Sequence, residues 1–154
     1  MKKLMSLVLA LALCLSAVTA FAAIPSKIVG LITVYVDGQK VSEDPTAAAL
    51  SASNVELVKL SKKGPADYFG TDVNEVFEFA PVKVNVPENA VKDGKVEATF
   101  EADTKFSAGE NVVILLGDGD TWAKFEGVGN DEGAVVATVD ADVLAKADFC
   151  AMGK

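Results

Sequence analysis

The chain has 154 residues and a formal net charge of −8, with 22 acidic residues against 14 basic ones that are all lysine, and it contains no histidine. So acidic a surface excludes nucleic acid and anionic membranes as natural partners. The lack of histidine removes Ser-His-Asp and Cys-His catalysis and the commonest zinc and copper ligands.

In chain order, Lys2 and Lys3 precede an apolar run over residues 4–18 that closes on Ala20-Phe21-Ala22. A positive start, a short apolar core and small residues at the cleavage positions predict a bacterial secretory signal over residues 1–22. The run is too short for a membrane span and no second one follows, so no membrane insertion is expected after signal removal. Leu13 before Cys14 does not fit a lipobox. Cleavage after Ala22 leaves Cys150 as the one mature cysteine, without an intramolecular partner and expected to be a buried small hydrophobe. The predicted location is extracytoplasmic, secreted or at the cell surface, where no nucleotide cofactor is supplied. No cofactor is expected.

Beyond the signal, short apolar runs alternate with Gly, Asp, Asn and Pro, the pattern of strands and turns. Residues 32–36 and 40–41 flank Asp37-Gly38, a favoured two-residue hairpin turn. Asp44-Pro45 predicts a helical turn or two over residues 46–50, and residues 55–60 read as a strand. Residues 65–69 predict one helical turn carrying Tyr68 and Phe69 between glycines. Alternation then points Val82, Val84 and Val86 to one side, as it does Val96, Ala98 and Phe100, and Val135, Ala137 and Val139. Residues 111–116 are apolar without alternation, as in a central strand covered on both faces, and residues 122–126 follow across Gly117 to Asp120 as the second arm of a hairpin. One further helical turn is predicted over residues 141–145 and a closing strand over 147–152. About nine strands result, an all-β chain. Residues 23–73 read as an N-terminal hairpin-and-strand portion and residues 74–154 as a compact β-sandwich.

The second portion is similar to an Ig-like antiparallel β-sandwich module found in exported and surface proteins of Gram-positive anaerobic bacteria. The residues that carry the resemblance are the opening Phe77-Glu78-Phe79-Ala80-Pro81-Val82, the Ser107-Ala108-Gly109-Glu110-Asn111 approach to the central strand, Gly119-Asp120-Thr121-Trp122, and the run from Gly133 to Asp140 ahead of Phe149. At its end the chain has Ala147-Asp148-Phe149 where such modules close on a Ser-Pro-aromatic step. The resemblance implies a structural or recognition module with no assigned catalytic site.

Three chemistries remain to be weighed on the residues themselves. Glu78, Glu97 and Glu101 lie on strands and supply the carboxylates of a small glycoside hydrolase if two of them face one cleft. Asp118, Asp120 and the Asn130-Asp131-Glu132 turn hold hard oxygen ligands, but without the spacing of a calcium loop, so they read as turns and no metal site is assigned. Glycan recognition needs an aromatic platform, for which Trp122, Tyr35, Tyr68 and Phe69 are the candidates. Tyr68 and Phe69, on a Gly-flanked loop, are the pair read as the ligand contact, with a plug beneath the sandwich as the other reading of the same residues. The function expected is that of a secreted, non-enzymatic structural or recognition module whose partner is a cell-surface protein or glycan. The competing readings are a self-assembling subunit that pairs an exposed strand such as residues 28–36 with a second copy, and the carboxylate hydrolase.

Overall fold

A computed structural model describes residues 30–154, so the predicted signal lies outside the described residues. Eight strands form one antiparallel sheet: β1 (Thr33–Val36), β2 (Gln39–Lys40), β3 (Val76–Pro81), β4 (Lys95–Glu101), β5 (Asn111–Gly117), β6 (Trp122–Gly129), β7 (Val135–Asp140) and β8 (Phe149–Gly153). Their order across the sheet is β2-β1-β4-β7-β6-β5-β8-β3. Helix α1 (Ala47–Lys63) and the single turn α2 (Pro65–Phe69) lie between β2 and β3 in sequence, and α3 (Ala141–Lys146) joins β7 to β8.

The sheet curls into a half-barrel around its own concave side. Val34, Val96, Ala98, Phe100, Ile114, Leu116, Val135, Val139, Cys150 and Met152, drawn from five strands, form one buried cluster there, and Leu144 of α3 joins it. The period of two in the sequence is the cause, because each strand sends alternate residues inward. The edges of the curl also touch: Ser42 bridges Val84, with Glu43 N–H donating to the Lys83 carbonyl at 2.8 Å and Asn85 N–H to the Val41 carbonyl at 3.0 Å. Pairing the ends in this way leaves less open strand edge to recruit other chains.

Strands β3, β8 and β5 are buried on their outer side too. Val76, Phe79, Leu115, Phe149 and Ala151 form a second cluster there with Leu60, Tyr68, Phe69 and Val73. Helices α1 and α2 thus cover one flank of the barrel, and the predicted two-sided burial of residues 111–116 is what β5 displays.

Several expectations change. Only one sheet is described, and the layer that packs on it is helical, where a second sheet of a sandwich was expected. Residues 55–60, read as a strand, are the second half of α1. The buried positions Ser53, Glu56 and Leu60 recur at helical spacing, but two of the three are polar, so the apolar pattern did not show the period. The helix starts one step later than Asp44-Pro45 suggested: Thr46 is the N-cap, its Oγ1 accepting from Ala49 N–H at 3.1 Å. Lys62 and Lys63 sit favourably in the last turn. Strand β1 pairs with β2 through Tyr35 and Val36 on one side and with β4 on the other, in the same sheet as the strands after residue 73.

Other expectations hold in detail. Asp37 and Gly38 both have positive φ, 50° and 75°, as the favoured hairpin turn between β1 and β2 requires. Val82 and Val84 are buried at 6% and 4% exposure, although the ladder itself stops at Pro81. Cys150 is fully buried and free, and burial raises its thiol pKa far above the ordinary value.

Strand β3 also carries an internal carboxylate. At a register shift between Val76 and Glu78, the Glu78 side chain is fully buried. Its Oε1 accepts from Thr104 N–H at 2.9 Å and from Thr104 Oγ1 at 2.6 Å, while Oε2 has no partner among the described residues. Gly30 passes so close that a Cβ there would collide with Oε2.

Because Phe69 is 3% exposed within the second cluster, Phe69→Ala is expected to destabilise the fold by about 3–5 kcal/mol, the usual cost of truncating a buried phenylalanine. Denaturant unfolding measures it; a loss below about 1 kcal/mol would mean that the ring is not packed.

Candidate functional site

The structure takes the two residues expected to contact a ligand away from the surface. Tyr68 and Phe69 are 8% and 3% exposed, and their rings meet edge to face at 5.0 Å. Trp122 packs against both, at 5.6 Å from Tyr68 and 4.8 Å from Phe69, and Phe79 lies 5.9 Å from Trp122. The pair is therefore the plug of the alternative reading, and no exposed aromatic face remains at that loop.

What Tyr68 does instead is hold a carboxylate. Its hydroxyl donates to Glu56 Oε2 at 2.5 Å, and Lys59 donates to Glu56 Oε1 at 2.7 Å. Burial works to raise the Glu56 pKa, but the hydrogen bonds from Lys59 and Tyr68 and the lysine charge outweigh it, so the carboxyl sits below its ordinary value. For Tyr68 burial comes first and the bond to Glu56 second, and both push the phenol up beyond any physiological titration. The β5–β6 turn lies against the same carboxylate, since a Cβ on Gly119 would come within 3.0 Å of the Glu56 carboxyl carbon.

Glu56 is also one wall of a cleft of about 520 Å³ between the first half of α1 and the rim of the barrel. One helix face supplies Thr46, Ala49, Ala52 and Glu56, at helical spacing. The loop before the helix adds Glu43, Asp44 and Pro45, and the barrel contributes Pro81, Val82, Lys83, Asp118, Asp148 and Phe149. The lining holds five carboxylates and one lysine beside the apolar Pro81, Val82 and Phe149. Lys40 pairs with Asp44 at 2.7 Å, Lys59 with Glu56 at 2.7 Å, and Lys83 reaches Glu43 at 3.7 Å. Asp118 and Asp148 have no ion-pair partner among the described residues.

The other candidate residues fall elsewhere. Asp118 Oδ1 accepts from Asp120 N–H at 2.9 Å and Thr121 N–H at 2.8 Å, and Asn130 Oδ1 from Glu132 N–H at 3.0 Å and Ala134 N–H at 2.9 Å. The backbone donors, Thr121 first, hold the Asp118 carboxyl below its ordinary value. Both residues tie their own turns, as Asn and Asp side chains do at loop tips. Among the described residues no three His, Cys, Asp or Glu side chains come together as a metal site. Glu97 and Glu101 are exposed on β4 and Glu78 is enclosed under β3, so the three carboxylates do not share a surface.

The sequence did not point to the cleft. Its lining comes from four separate stretches, and the one local signal, a glutamate four residues from both Ala52 and Leu60, is hidden by the strand-like composition of residues 55–60. No protein-family model, curated protein or solved structure matches the chain.

Because the folded-state pKa of Glu56 is depressed, its pairing stabilises the fold fully above the ordinary glutamate range, and that stability is lost as pH falls through the folded pKa. The stability gap between the natural chain and Glu56→Gln is therefore expected to be largest near neutral pH and to shrink on acidification below that range. Unfolding curves across pH measure it; a gap independent of pH would contradict the pairing.

Proposed function

We propose that the chain is exported from a bacterial cell and acts outside it, free or at the cell surface, as a non-enzymatic recognition module whose ligand site is the cleft under α1. The Lys2-Lys3 start and the Ala20-Phe21-Ala22 end of the apolar run support export. Likeness to Ig-like modules of exported proteins, read from the turn residues of the second portion, supports a recognition or structural role in the same sense.

The observation that carries the reading is the cleft itself. A volume of about 520 Å³ lies within the range of small-molecule sites, and an apolar floor with a few polar groups at the rim is their usual chemistry. Asp118 and Asp148, which have no ion-pair partner among the described residues, leave the cleft with a negative field that draws positive groups and repels anions. The fitting ligand is compact, with an apolar body against Phe149, Pro81 and Val82 and a positive group toward Asp118 and Asp148. Ala49 and Ala52 keep the helix wall low enough for it to enter.

Putrescine and a lysine-containing tripeptide are suitable probes, read by amide NMR shifts on the labelled protein. Saturable shifts are expected at Ala52, Asp148 and Phe149, with affinity weakened about tenfold in Asp148→Asn and abolished in Ala52→Trp, which fills the cleft at its exposed wall. Unchanged binding in Ala52→Trp, or no shifts with either probe, would overturn the assignment.

A further inference from the structure

The helices cover the outer side of β5, β8 and β3, but among the described residues the outer side of β1, β4 and β7 carries no such layer. Across that open face the register aligns Tyr35 with Thr99, Thr99 with Val136 and Val136 with Val128. Tyr35 is thrown outward because Val34 and Val36, its neighbours on β1, are both buried in the barrel. Beside its ring lies a groove of about 370 Å³ bordered by Thr99, Glu101, Asn130 and Glu132. This groove is separate from the α1 cleft and shares no lining residue with it.

We propose that the Tyr35 groove is a subsite for a neutral sugar ring. A sugar presents an apolar C–H face and a ring of hydroxyl groups that both donate and accept. An aromatic side chain that is half-buried and held by its strand offers the matching flat face at small entropic cost. Around it the groove has both kinds of polar partner: carboxylates of Glu101 and Glu132 that accept from hydroxyls, and hydroxyl or amide groups of Thr99 and Asn130 that donate to them. Asn130 is already oriented, since its Oδ1 is occupied by the amides of Glu132 and Ala134, which leaves its Nδ2 as the donor of that side chain.

Charge narrows the class. Two carboxylates repel anionic sugars, phosphates and sulfates. Lys105 lies 3.6 Å from Glu101, so the local field is partly balanced, and a single ring is not the multi-sided cage that organic cations select. Of the four aromatics in reach of the glycan reading, Tyr68 and Phe69 are buried and Trp122 is committed to the second core, which leaves Tyr35. The row from Tyr35 to Val128 crosses three strand spacings, about 14 Å, so neighbouring units of an oligosaccharide can lie across the strands over Thr99 and Val136.

The test is an amide NMR titration of the labelled protein with neutral gluco-, manno- and N-acetylglucosamine oligosaccharides, run beside a sulfated oligosaccharide and tetramethylammonium. At least one neutral series is expected to shift Tyr35, Thr99 and Asn130 saturably, with about tenfold weaker affinity in Tyr35→Ala and a smaller loss in Glu132→Gln, both at unchanged melting temperature. Thr99→Val keeps the test sound if Tyr35→Ala perturbs folding. Ala52→Trp should bind the sugar as the natural chain does, which separates this site from the α1 cleft. Silence across the neutral series, shifts only with the sulfated sugar or with tetramethylammonium, or full affinity in the Tyr35 and Glu132 variants would overturn the proposal.

Discussion

A buried carboxylate ties α1 to the single helical turn that follows it and stands in the wall of the cleft of about 520 Å³ beneath α1. Glu56 stands on the helix face that packs toward the barrel, 9% exposed, and a charge in that place destabilises the fold unless it is paired and hydrogen-bonded. Tyr68 and Lys59 meet that requirement, one oxygen each. The tyrosine comes from α2, a single turn beyond Gly64, so the bond ties the two helices to each other. Beside it, α1 buries Ser53 and Leu60 and packs Leu57 in part, so its apolar contribution to the second cluster is small.

The sheet supports this arrangement because its last strands work on both sides. Leu116 and Ile114 point into the barrel, whereas Leu115 between them meets the helices; Cys150 and Met152 alternate in the same way with Phe149 and Ala151. A chain of this size has room for one large core and one small one, and strands shared between them couple the two. Where the helix rides over the rim at Pro81 to Lys83, small side chains at Ala49 and Ala52 leave the gap unfilled. The cleft is thus a consequence of a helix held firmly at Glu56 and packed lightly nearer its start.

How far the sequence discloses this depends on the kind of residue. Where apolar and polar residues alternate, as at Val96 to Phe100 and Val135 to Val139, the strand and its inward face were legible, and so was the two-sided strand at residues 111–116. Asp37-Gly38 and the turn at Asp118 were legible because each needs a particular local chemistry. Helix α1 was not, since its buried stripe holds a serine that bonds back to the Ala49 carbonyl and a glutamate whose partner Tyr68 lies twelve residues on. The single sheet was missed for a related reason: alternation shows which face is buried but not whether a sheet or a helix covers it. The cleft and the Tyr35 groove each gather residues from distant segments, and no local pattern announces such a meeting.

The bond between Glu56 and Tyr68 is therefore the point on which the account stands, and a double-mutant cycle of Glu56→Gln and Tyr68→Phe, followed by denaturant unfolding at neutral pH, tests it most directly. A hydrogen bond to a buried charge predicts a coupling of about 1.5–3 kcal/mol between the two substitutions. Additive effects, with coupling near zero, would mean that the tyrosine does not hold the carboxylate and that α1 is docked in some other way.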